Sequence, residues 1–166
     1  MIEIKKKLFA AFSEDHAILG NGFHILAVQL REGNIDAIKL AANKLDENAG
    51  AHIAFEEFDF YPQLKLLDPT IDTDEMYESH NVGLSVIRDI AKLKVNSNDS
   101  SAPEEFKQDQ LLKISRMENH VAECGELFSI MDTLDTESQE NLYLKLLDWR
   151  ERKPKWTKLS DYRNTN

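Results

Sequence analysis

Five histidines occur in this chain, and four of them, His16, His52, His80 and His120, stand where chemistry becomes possible. In "HIAFEEFDFYP" His52 is followed four residues later by Glu56, a spacing that puts both on one face of a helix. "HVAECGELFSI" repeats the arrangement from His120, with Cys124 in the place of the acid. Imidazole nitrogen, carboxylate oxygen and thiolate sulfur are all metal-ligand atoms. A single histidine on an apolar helix face is more often a satisfied core residue than a ligand. Four neutral imidazoles and a carboxylate gathered in a dry core are different, because many of their donors and acceptors would go unpaired. A metal ion among them resolves this. Metal binding is therefore the favoured reading.

Helical geometry sets two neighbours apart. His24 lies about 80° round the helix from His16, beside seam positions that Phe23 and Leu26 already occupy. It is expected to flank the site or to face solvent. Glu57 is turned about 100° from Glu56. It is expected to be solvated or to support a ligand from behind, and a spare ligand is the other option.

The elements that must position these residues read as helices, and β-type alternation is hard to find. Phe9, Phe12, His16, Leu19, Phe23, Leu26 and Leu30 step by threes and fours, which is a core seam. Gly33 stops that helix and Asn34 can cap the next. The second helix carries Ile38, Leu45, Ala49, His52 and Glu56 and is expected to be limited by Pro62. The third carries Met76, His80, Leu84, Ile87 and Ala91 on one face. After the loop "NSNDSSAPEE", with Pro103 suited to a first helical turn, the fourth carries Leu111, Ile114, Met117, His120, Cys124 and Phe128. A shorter helix, "ENLYLKLLDWRER", is broken by Pro154, and Trp156 in the polar tail is expected to dock on the body.

Short connections make neighbouring helices antiparallel. The expected fold is all-α: one domain over 1–166, with an up-down-up-down four-helix bundle at about 5–132 and an accessory helix and tail at about 136–166. Each half places two histidines at matching depths, which implies a pseudo-twofold core.

The ordered set "EDH" ending at His16, "HIAFEE" from His52 followed by "FYP", "ESH" ending at His80, and "NHVAEC" around His120 resembles hemerythrin-like (HHE cation-binding) domains of bacterial type. The resemblance covers roughly residues 10–132, and "RERKPKWT" is similar to the tail of bacterial members. It implies a four-helix bundle holding two non-haem irons, joined by an oxygen-atom bridge and carboxylates. By position, His16, His52, His80 and His120 would be terminal ligands and Glu56 a bridging carboxylate. Where the family carries an acid on the fourth helix, this chain has Cys124. A thiolate is one soft donor where the family uses two hard oxygens. Cys124 is either a small buried hydrophobe or a ligand. Glu123 shares a helix face with His120 and is a substitute donor, whereas Glu126 lies about 240° round the helix. The site is expected to hold two irons asymmetrically, one metal ion, or none.

Bulk composition narrows the partners. With 20 basic and 30 acidic side chains the net charge is −10, which argues against nucleic acid and anionic membranes. No apolar run is long enough to span a membrane, and the opening one is too short for a signal peptide. Cys124 is the only cysteine, so there is no internal disulfide and a reducing cytoplasm is expected. The leading expectation is binding or sensing of iron, or of a small diatomic ligand such as dioxygen or nitric oxide, by a monomer or dimer. An enzyme that reduces peroxide or nitric oxide or repairs iron centres, with Cys124 as an oxidisable thiol, is the alternative. A metal-free interaction module is the third reading.

Overall fold

A two-residue corner sets the first helix pair. Gly33 takes a left-handed backbone (φ 86°) at the end of α1 (Ile4–Glu32), and its N–H donates to the Gln29 carbonyl. Asn34 then caps α2 (Ile35–Phe55), its side chain accepting from Ala37 N–H at 3.0 Å. In this computed structural model, which describes residues 3–96 and 98–163, the remaining elements follow in chain order. A π-helical turn (Glu56–Phe60) leads into α3 (Tyr61–Leu67), then come α4 (Thr73–Ala91) and α5 (Glu104–Phe128). A 3-10 turn (Ser129–Thr133) precedes α6 (Thr136–Arg152), and a second one (Trp156–Lys158) precedes α7 (Leu159–Arg163). The fold is all-helical, with no strand among the described residues. No helix of those residues is long and apolar enough to cross a membrane.

Packing follows the seams. α1 lies against α2, α5 and α6, and α4 lies against α2 and α5. Phe12, Leu19, Phe23, Leu26 and Leu30 of α1 are buried, as are Ile114, Met117, His120, Cys124 and Phe128 of α5. Ala91, expected on the α4 seam, is exposed at its end. Pro103 sits just outside α5 as its N-cap residue.

The second helix does not end at Pro62. It widens into the π turn and runs on to Leu67, with Pro62 in the first turn of α3. Proline lacks an N–H, and its ring clashes with the carbonyl four residues back. A wider turn just before it relieves that clash without breaking the helix.

The C-terminal segment belongs to the core. Trp156 is 1% exposed, edge-on to Phe23 with centroids 6.0 Å apart. Burying an indole removes roughly 150–250 Å² from water, worth about 4–6 kcal/mol as an upper bound. Thr157 N–H and Oγ1 both donate to Asp46 of α2, at 2.8 and 2.9 Å. The strap crosses α2 at Gly50, where a Cβ would collide with the Pro154 carbonyl and with the Lys155 backbone. Gly50→Ala should therefore lower stability by about 1–3 kcal/mol or more, because backbone rather than a flexible side chain must move. Trp156→Ala should cost about 3–5 kcal/mol. Urea unfolding of both variants checks this, and a midpoint unchanged in Gly50→Ala would mean the strap is not seated there.

Candidate metal centre

The donor atoms come from six elements: His16 on α1, His52 on α2, Glu56 and Glu57 in the π turn, Tyr61 at the start of α3, His80 on α4, and His120 with Cys124 on α5. Glu56 is at their centre with 0% exposure, and its two oxygens face different partners. Oε1 lies 3.1 Å from His52 Nε2 and 3.7 Å from His16 Nε2. Oε2 lies 3.0 Å from His80 Nε2 and accepts from the Tyr61 hydroxyl at 3.2 Å. One carboxylate thus meets three histidines, His16 and His52 through one oxygen and His80 through the other.

On the Oε2 side the Tyr61 hydroxyl also lies 3.0 Å from His80 Nε2, 3.2 Å from His120 Nε2 and 3.1 Å from Cys124 Sγ. Cys124 Sγ is 3.4 Å from His120 Nε2. Glu57 is buried rather than solvated, and its Oε1 lies 3.0 Å from His80 Nδ1, fixing the ring from behind. On the Oε1 side the atoms are close but poorly aligned. His16 Nε2, both ring nitrogens of His52 and Glu56 Oε1 have no hydrogen-bond partner although all are buried.

Charge is distributed unevenly. Burial would raise the Glu56 carboxyl, but the neighbouring His52 and His80 hold it well below the usual range. Burial would lower His80, yet its bonds to Glu56 and Glu57 bring it up to about 9. For His16 and His120 burial wins over the pull of Glu56, and both fall to about 4. Burial, together with the Glu56 charge, pushes the Tyr61 hydroxyl and the Cys124 thiol well up, so both keep their protons when no metal is bound. In the metal-free centre His80 is the positive charge, set between the Glu56 and Glu57 carboxylates.

Two groups here could hold a metal ion, and Glu56 belongs to both. His16, His52 and Glu56 form one, and Glu56, His120 and Cys124 form the other, with the donor atoms of each within 4.8 Å of one another. The unpartnered nitrogens and carboxylate oxygen of the first group suit a cation, because orphaned buried polar atoms are otherwise costly. Around the site, Phe12 stacks on Phe128 with centroids 3.7 Å apart and also touches the His16 and His52 rings. α6 braces the other end, where Trp149 Nε1 donates to Asp59 at 2.7 Å and Arg150 pairs with Asp15 at 2.9 Å. A surface cleft of about 410 Å³, lined in part by Asp15, Glu47 and Arg150, reaches His52.

Other candidates lie elsewhere. His24 is exposed, as are Glu123 and Glu126, and none of them joins either group. Glu123 shares the α5 face only loosely, because at three residues from His120 it turns towards solvent while Cys124 turns inward. Tyr61 is the residue that sequence reasoning missed. On a straight helix it would sit about 140° from Glu56. The π turn, closed by the Tyr61 N–H to the Glu56 carbonyl, brings it back to the same face. Pro62 is the signal that the helix must loosen there.

Comparison with family models, with curated proteins and with solved structures finds no match.

The titrations make a prediction for metal-free protein. His16 and His120, at about 4 in the fold against 6.5 ordinarily, cost stability as pH falls from 6.5 towards 4, because only the unfolded chain takes up those protons. His80, at about 9, works in the opposite sense, and its contribution is complete below 6.5 and lost as pH rises through 9. Stability should therefore peak near pH 6.5, with the steeper decline on the acid side, where two groups act. Urea midpoints across pH in chelator-treated protein test this. A flat profile from 6.5 to 9 would show that His80 is not held charged.

Proposed function

We propose that this chain is a hemerythrin-like protein of the reducing cytoplasm that binds iron in an up-down-up-down bundle and, through it, dioxygen or a related diatomic ligand. The observation that carries this reading is the convergence of His16, His52, His80 and His120, one from each long helix, on the fully buried Glu56. The His120 ring joins the group through Tyr61 and against His80, with centroids 4.7 Å apart. The ordered histidine and His-x-x-x-Glu set that resembles the hemerythrin-like domains points the same way.

Each residue then has a task. His16, His52 and Glu56 would hold one iron, and Glu56 with His80 and His120 would hold the second. Bound iron supplies an electron-rich centre for reversible binding of a diatomic ligand. Glu57 keeps the His80 ring in register for coordination through Nε2, since its own oxygen takes Nδ1. Phe12, Phe55, Phe60 and Phe128 form an apolar wall that keeps water from the donors.

Elemental analysis of protein from iron-supplemented cells, joined to a visible spectrum with and without dioxygen, tests the reading. His52→Ala or His120→Ala should at least halve the iron content, and His24→Ala should leave it unchanged. Equal damage from His24→Ala would sink the assignment. Iron added to verified metal-free protein at ~100 times its Kd should stabilise the fold by about 2.7 kcal/mol, a rise in Tm of roughly 5–10 °C. An unchanged Tm would rule out a core site.

A further inference from the structure

The Tyr61 hydroxyl has more neighbours than a phenol can serve. It lies 3.0–3.2 Å from Glu56 Oε2, His80 Nε2, His120 Nε2 and Cys124 Sγ. A tyrosine offers one O–H to donate and two lone pairs to accept. Four polar neighbours cannot all be satisfied by that hydroxyl, and the ring is fully buried, so water cannot relieve them.

The same distances suit another arrangement. Ligands about 2.0–2.3 Å from a common ion are separated by roughly 2.9 Å at right angles and about 3.4 Å at tetrahedral angles. The contacts among Glu56 Oε2, Tyr61 Oη, His80 Nε2, His120 Nε2 and Cys124 Sγ run from 3.0 to 3.4 Å. These distances match the edge lengths of a coordination polyhedron.

We propose that Tyr61 and Cys124 are themselves metal ligands, so that the second metal position is held by His80, His120, Cys124, Tyr61 and one oxygen of Glu56. This rests on the metal-binding reading above. A carboxylate on α5 would have brought two oxygens from one residue. Here Cys124 and Tyr61 bring two anionic donors from different elements, one on α5 and one delivered by the π turn. The two metal positions therefore differ chemically. The first is held by two imidazoles and a carboxylate oxygen. The second adds a thiolate and a phenolate, a softer and more electron-rich set. Binding one divalent ion there displaces the phenol proton and the thiol proton to solvent, and no electron is transferred.

The experiment uses full-length protein stripped of metal, loaded with ferrous iron without oxygen, then oxidised in air. Ferric iron with a phenolate ligand absorbs in the visible, and resonance Raman excited in that band shows tyrosine ring modes. The expected result is such a band in the wild type, with modes that shift when the protein is grown with ring-deuterated tyrosine. Tyr61→Phe should abolish the modes and lower iron from two per chain to one, and Cys124→Ser should move the band. Labelled wild type decides the question by itself if the Phe variant does not fold. Iron bound without tyrosine modes overturns the inference and leaves the iron-binding reading standing. Modes or stoichiometry unchanged in Tyr61→Phe do the same. No iron in the wild type overturns both.

Discussion

A carboxylate with no solvent contact, Glu56, sits where four long helices meet, and the surrounding structure makes that burial tolerable. An isolated buried carboxylate would cost far more than the net stability of a small domain. Without metal, His80 answers it with a positive charge held in place by Glu57. That solution serves only one of the two oxygens well. Oε1 faces His16 at 3.7 Å and His52 at 3.1 Å but is aligned for a hydrogen bond with neither, and this imbalance is the strongest physical reason to expect a cation there.

The π turn is the second constraint, and it follows from the first. Glu56 meets histidines of α1, α2 and α4, and Tyr61 adds His120 of α5, only if these neighbours in the chain turn inward together. Widening the helix at Glu56–Phe60 points Glu56, Glu57 and Tyr61 into the core together. A regular α-helix would spread those three round its circumference. The wide turn is weaker than an α turn and needs external support. It receives that support from Trp149, which holds Asp59, and from the apolar packing of Phe60 against Phe12 and Phe128.

The C-terminal elements therefore do more than finish the chain. α6 ties α1 near His16 through Arg150, and the π turn through Trp149. The strap after it lays Trp156 within 6.3 Å of the His80 ring. Rings that must converge to within a few tenths of an ångström need a rigid frame, because misplaced donors lose most of their binding energy. Removing the strap would loosen the site without touching any donor.

Helical periodicity and the type of each donor were legible in the amino-acid order. Seam positions repeat every three or four residues, so His16, His52, His80 and His120 could be assigned to inward faces and His24 excluded, from local geometry alone. Cys124 was recognisable as the odd residue at a position paired with His120. Three things depended on tertiary structure. Tyr61 reaches the donors only because Pro62 and core packing together convert one turn to π geometry, a choice that a straight-helix projection cannot represent. Glu57 is buried because His80 on another helix meets it, and a residue's partner across the core is not encoded in its own spacing. Glu123 and Cys124 are adjacent in sequence, yet one faces water and the other the donors. Rotation of α5 against α1 and α4 decides between them, and that rotation is set by the whole core rather than by any local signal.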